Sequence, residues 1–137
     1  MPLKKSSWKI ISTEEFDDWI ESLEEDDQDH IVAALEVLER GGPGVRRPLV
    51  GAIENSRHAN MRELRPGFLR ILFAFDPNRD AILLIGGDKR NKWNAWYDEY
   101  IPIADDLLDA HLTRIEAEND AASPPSRQTK KKKGKRQ

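Results

Sequence analysis

Two apolar runs on either side of a polar turn constrain this chain most. Leu69, Ile71, Phe73 and Phe75 alternate with Arg70, Leu72 and Ala74, the two-residue period of a strand. Ala81–Ile85 is unbroken apolar sequence, as expected of a central strand covered on both faces. Asp76-Pro77-Asn78-Arg79-Asp80 between them has the composition of a turn. The pair predicts a hairpin in the middle of a small sheet. Met61–Arg65 ahead of it reads as a further short strand carrying Arg62 and Arg65. Gly86-Gly87-Asp88-Lys89-Arg90 closes the stretch, with Trp96, Tyr97 and Tyr100 just beyond. A sheet that gathers arginine, lysine and tyrosine has the groups needed to hold and cleave an RNA phosphodiester.

The flanks supply helices. Trp8–Ile11 reads as a first strand. Ser12-Thr13-Glu14-Glu15 follows as a capping box, with Ser12 as the cap and Glu15 reaching back. Phe16, Trp19, Ile20 and Leu23 then mark one helical stripe. A second helix is predicted over Asp27–Arg40, with Ile31, Ala34, Leu35 and Leu38 inward and Gly41-Gly42 as its stop. Pro43–Asn60 shows no sustained period and reads as a loop with at most a short turn. Ala104, Leu107, Leu108, His111 and Ile115 form the last helical stripe, with Pro102 near its start. The order β-α-α-β-β-β-α predicts an α+β domain: a small antiparallel sheet, an N-terminal helix hairpin on one face and a C-terminal helix. That domain is expected over residues 1–119, with 120–137 as a disordered basic tail too poor in apolar residues to order itself.

Charge is distributed unevenly along the chain. The net charge is only −3, yet Glu14–Asp29 holds ten acidic residues and no basic one. Arg46–Lys92 holds ten basic residues against five acidic ones, and Arg127–Arg136 adds seven positives. A basic middle is the field expected of a polyanion-binding surface. Absence of cysteine excludes disulfides and thiolate chemistry and suits a cytoplasmic setting. The first residues lack the apolar run of a signal peptide, and no stretch approaches the about 18 apolar residues of a membrane span.

Several residues carry two readings. Arg70, flanked by apolar neighbours, is either a phosphate ligand or one half of a cross-strand pair with Glu63; an arginine there is costly unless paired. Arg65 reads first as one half of an ion pair at the sheet edge, with an acidic residue of a helix. Tyr97 either stacks on a base or, with Trp93 and Trp96, pins the last helix. His58 has a side chain that titrates near neutrality and lies beside Arg57 in a polar loop. His30 and His111 read as structural or surface residues. No dense His/Asp/Glu cluster calls for a metal, and no cofactor is expected.

Glu63-Leu64-Arg65, Leu69-Arg70-Ile71-Leu72, Ile82–Ile85 with Gly86-Gly87-Asp88-Lys89, Trp96-Tyr97 and Ile101–Ala104 occur in an order that resembles the RelE/ParE toxin superfamily. Within it the chain is most similar to the phage-derived Gp49-like, HigB-like branch. The resemblance covers roughly Trp8–Leu112. It implies a toxin that cuts mRNA on the ribosome and is neutralised by a helix-turn-helix antitoxin. The alternatives on the same fold are a ParE-like toxin that binds gyrase and cleaves nothing, and a degenerate phage-derived binding module. Carried onto this sequence, the resemblance makes Arg70, Lys89, Arg90 and Tyr97 the catalytic set. Where one family pattern has two lysines, this chain has Met61-Arg62-Glu63, so His58 or Arg62 would stand in. Arg57, Arg62, Arg65 and Lys92 are the expected RNA-binding residues. Arg70, Lys89 and Tyr97 are expected on one sheet face, away from the helix hairpin.

Overall fold

The computed structural model describes residues 7–88, 90 and 93–122. Lys89, Lys92 and the tail from 123 onward therefore lie outside the described residues. The elements run β1 (Ile10–Ser12), α1 (Glu14–Glu21), α2 (Glu25–Gly41), a 3-10 turn (Gly42–Gly44), β2 (Val50–Ala52), β3 (Arg62–Leu64), β4 (Leu69–Phe75), β5 (Ala81–Asp88) and α3 (Trp93–Ala122). One five-stranded sheet takes the order β1-β5-β4-β3-β2. The predicted α+β class stands, with two additions. Pairing is antiparallel from β2 to β5, but β1 joins the outer edge of β5 in parallel, Ile10 opposite Ala81 and Ser12 opposite Leu83. Within the expected loop Pro43–Asn60, Val50-Gly51-Ala52 forms the edge strand β2, too short to show a period.

The central hairpin is where the sequence placed it, and each of its faces has a cover. Ile71, Phe73, Ala81 and Leu83 point into a core with Phe16, Ile31, Ala34 and Leu38 of the α1–α2 hairpin. Leu72, Ala74, Ile82 and Leu84 point the other way, against Trp96, Ile101, Ala104 and Leu108 of α3. Continuous apolar sequence in β5 follows from this double cover. Each large aliphatic side chain so buried contributes about 1.5–3 kcal/mol relative to exposure.

The start of α1 corrects one detail. Ser12 is drawn into β1, so Thr13 caps the helix instead: its Oγ1 accepts from the Phe16 amide at 3.0 Å and donates to the Leu84 carbonyl at 2.6 Å. Ser12 Oγ donates to Asp17 Oδ1 at 2.7 Å. α3 corrects another. It begins at Trp93, so Pro102 lies inside it rather than near its start. A proline removes one helix donor; here the buried Trp96 and Ile101 hold the preceding turns on the sheet.

Gly86 and Gly87 fit the sheet between two tryptophans. Pairing slips by one residue between Leu72, opposite Ile85, and Phe73, opposite Leu83. Beyond the slip, a Cβ at Gly86 would run into the Trp19 ring, and one at Gly87 into Trp96 Nε1. Trp96 is only 1% exposed and cannot swing aside. Gly87→Ala is expected to lower stability by about 1–3 kcal/mol in urea unfolding, the usual cost of overpacking. Gly44→Ala, where nothing lies within 4 Å of the added Cβ, is the control. Equal midpoints for the two variants would show that α3 gives way.

Candidate active site

Arg70, Glu63, Arg65 and Tyr97 meet on the sheet face opposite the α1–α2 hairpin. Strand period explains the convergence. Glu63 sits opposite Leu72, whose side chain faces α3. Arg65 lies two residues beyond Glu63 on the same side, and Arg70 two residues before Leu72. Tyr97 reaches the group from the first turns of α3.

Glu63 is the hub. Its side chain is 1% exposed, and Oε1 accepts from Arg65 Nε at 2.8 Å, while Oε2 lies 4.0 Å from Arg70 Nε. Both ion-pair readings were thus sound in kind. The partner of Arg65 is a strand neighbour rather than a helix acid, and Arg70 does face Glu63. The guanidinium of Arg65 lies over Gly51, where any Cβ would collide with it. Arg70 Nη1 donates to the Gly67 and Leu69 carbonyls, each at 2.7 Å, which fixes the guanidinium at the head of its strand.

Three buried polar atoms here have no hydrogen-bond partner among the described residues: Glu63 Oε2, Arg70 Nε and Trp96 Nε1. Trp96 Nε1 lies over Gly87, which pairs with Arg70, so the three are neighbours. Buried polar groups are nearly always paired in folded proteins. Unsatisfied hydrogen-bonding capacity is therefore concentrated at one place on the molecule. A cleft of about 360 Å³ opens beside it, with Glu63, Arg65, Tyr97 and Asp98 in its walls.

Tyr97 responds to this setting. Burial, and then the adjacent Glu63 carboxylate, push its phenol up to about 12, while Arg70 pulls the other way. It is a proton-bearing donor throughout the physiological range. Glu63→Gln removes the carboxylate charge and leaves the opposing pull of Arg70. The Tyr97 pKa should then fall, read as ultraviolet absorbance of the phenolate on alkaline titration. An unchanged value would mean that burial alone sets it. The sign for stability follows: a raised pKa means stability is intact below the unfolded value near 10 and is lost as pH climbs from about 10 to about 12. Trp96 is buried and stacked on Tyr100 with ring centroids 5.0 Å apart, while Tyr97 packs edge-on against Trp96 and also faces the charged cluster.

Other expected site residues lie elsewhere. His58 Nε2 bonds Asp109 Oδ1 at 2.7 Å, and Arg57 bonds Asp106 at 3.0 Å and Asp109 at 2.5 Å. Ser56 Oγ reaches Asp105 at 2.5 Å, so residues 56–58 are stapled to α3. Arg57, with Asp109 first, is held above its ordinary range, and Asp109 below its own, chiefly by Arg57 and then His58. Asp109 lies twelve residues beyond Tyr97 in α3, about 18 Å along a helix. His58 is thus far from the cluster. Arg62 pairs opposite Phe73, so it faces the helix-hairpin side, where it joins Arg46 and Arg47 in a larger cleft of about 630 Å³. That cleft is away from Glu63 and Arg70, whereas the smaller one is lined by Glu63, Arg65 and Tyr97. Arg90 pairs with the Asp88 carboxylate, which holds Asp88 below the usual carboxylate range, and its Cζ lies 5.2 Å over the Phe68 ring. His30 is exposed, whereas His111 is buried and bonds Asp76 Oδ2 at 2.8 Å, tying α3 to the β4–β5 turn. Among the described residues no group of three or more His, Cys, Asp or Glu is placed to hold a metal, and no helix is long and apolar enough to cross a membrane.

A mixed sheet with a helix hairpin on one face and a long helix on the other is the RelE-like toxin fold. Residues 18–109 match the family described as phage-derived protein Gp49-like (DUF891), and the chain belongs to that family, within the RelE/HigB-like superfamily. It is 44% identical over 119 residues to the Mycobacterium tuberculosis protein named "Putative toxin HigB2", covering 83% of this chain and 57% of that protein. It is 46% identical over 98 residues to "Putative toxin HigB3" of the same organism, covering 70% and 86%. The chain thus spans little more than half the length of HigB2. Among solved structures, RelE in the archaeal RelE–RelB complex of Pyrococcus horikoshii superposes with a TM-score of 0.52 at 14% identity, over 62% of this chain and 98% of that one. At that identity the likeness concerns the fold alone.

Proposed function

We propose that this chain is the toxin of a type II toxin–antitoxin module, an endoribonuclease that cuts mRNA on the ribosome by attack of the RNA 2′-hydroxyl on the adjacent phosphate. One observation carries the reading: Arg70, Tyr97 and Glu63 converge around buried polar atoms that lack partners among the described residues. A ParE-like gyrase binder on this fold has no need of such convergence. Resemblance in name to HigB toxins supports the toxin role, and the complex in which the RelE neighbour was solved supports an antitoxin partner.

In this reading Arg70 donates to the non-bridging oxygens of the phosphorane as charge develops there. Tyr97, protonated at neutral pH, adds a neutral donor. The 2′-hydroxyl gives its proton to a base supplied by the ribosome or water as the new P–O2′ bond forms, and Lys89, with Arg90 next to it in sequence, protonates the 5′-oxygen as the P–O5′ bond breaks. Glu63 is a positioning residue that holds Arg65 and Arg70 in register. The enzyme works in the cytoplasm, where ribosomes are, and a helix-turn-helix antitoxin covers it. Primer extension on total mRNA after induction tests the assignment. New 5′ ends are expected with the natural chain; toxicity with no new ends would move the reading to gyrase binding.

A further inference from the structure

Phe68 is 64% exposed, more than any other large apolar side chain among the described residues. It occupies the β3–β4 turn, which several hydrogen bonds hold in shape. Gly67 takes a positive φ of 61°, and the Leu69 amide bonds the Pro66 carbonyl at 3.0 Å. Arg70 Nη1 donates to the carbonyls on both sides of Phe68, Gly67 and Leu69. The ring also carries the Arg90 guanidinium 5.2 Å from its centroid, itself held by Asp88. A phenylalanine left mostly in water on a clamped turn does little for the core. A fixed aromatic beside two arginines is what an unstacked nucleobase seeks: a π face with cations nearby for the phosphates.

We propose that Phe68 is the stacking platform for the unpaired RNA base next to the phosphate held by Arg70. The inference rests on the RNA-cleavage reading and adds the contact that seats the nucleotide. Since Arg70 clamps the backbone of Phe68, phosphate and base would be gripped by one connected unit. Stacking helps substrate and transition state alike, so its loss should raise KM and leave kcat nearly unchanged.

Wild type, Phe68→Ala, Phe68→Trp and Arg70→Ala are compared on programmed ribosomes, with cut sites mapped by primer extension and urea unfolding run beside them. Phe68→Ala should raise KM by ~5- to 150-fold, the range reported for losing one base–aromatic stack. It should unfold at the wild-type midpoint, and Phe68→Trp should keep or improve KM. Unchanged KM in Phe68→Ala, while wild type cuts, overturns this proposal alone. Loss of antitoxin capture by Phe68→Ala with cutting intact also overturns it, making the ring a protein contact. No new ends from wild type overturns the cleavage reading and the platform with it.

Discussion

Arg70→Ala should abolish toxicity, cutting mRNA some 100–1000-fold more slowly, the usual effect of removing one preorganised donor to a developing oxyanion, about 2.7–4 kcal/mol. Arg70 is the cation whose direction is set on three sides: by two carbonyls at 2.7 Å and by Glu63 at 4.0 Å. No reorganisation is then needed as the phosphorane forms. Arg70→Lys should recover only part of the rate, because an ammonium cannot reproduce the guanidinium fork. His58→Gln is the matched control and should cut normally, since His58 is engaged by Asp109 far along α3. Cleavage is followed as new mRNA 5′ ends and toxicity as growth after induction. An Arg70→Ala chain that folds, binds antitoxin and still kills would sink the enzyme assignment. Strong loss in His58→Gln at unchanged stability would move the site to the 56–58 loop.

Glu63→Ala should be the most destabilising single change in the site, about 3–5 kcal/mol, the range for breaking a buried ion pair from one side. The carboxylate is 1% exposed, and its removal leaves Arg70, itself only 15% exposed, facing Tyr97 with no counter-charge. Urea unfolding at neutral pH reads the loss. Glu63→Leu combined with Arg70→Met should regain much of it, because well-packed apolar groups replace buried ion pairs with little penalty. That double variant should be stable and inert, separating the stability role of the cluster from its chemistry. A loss under about 1 kcal/mol in Glu63→Ala would mean that both arginines simply turn to water.

The sequence was readable where neighbours along the chain decide the outcome. The β4–β5 hairpin and the apolar stripes of α1 and α2 follow from period and order, and the common facing of Arg70 and Tyr97 was implied by the resemblance. It was opaque where distant residues decide. Nothing near Arg57 and His58 announces Asp105, Asp106 and Asp109, some fifty positions away, so a polar loop beside arginines read as a nucleic-acid surface. Arg62 and Arg65 look alike in sequence; one step of strand phase separates them, and they face opposite sides of the sheet. Glu63, between them, was visible only as a partner for Arg70. Its burial depends on α3 and on Gly51 admitting Arg65. Proline chemistry misled at Pro102, since a proline that suits a helix start can also sit inside a helix held by packing.

The parallel pairing of β1 with β5 bears on when the Glu63–Arg70–Tyr97 cluster assembles during synthesis. Ile10–Ser12 emerge early but have no strand to join until Ala81–Leu83 follow, and Thr13 cannot bond Leu84 before then. Tyr97 comes later still. Contacts of such sequence separation form late. Each nascent copy therefore carries Arg70 without Tyr97 beside it until α3 has been made, so the cluster around Glu63 is among the last parts of the fold to assemble.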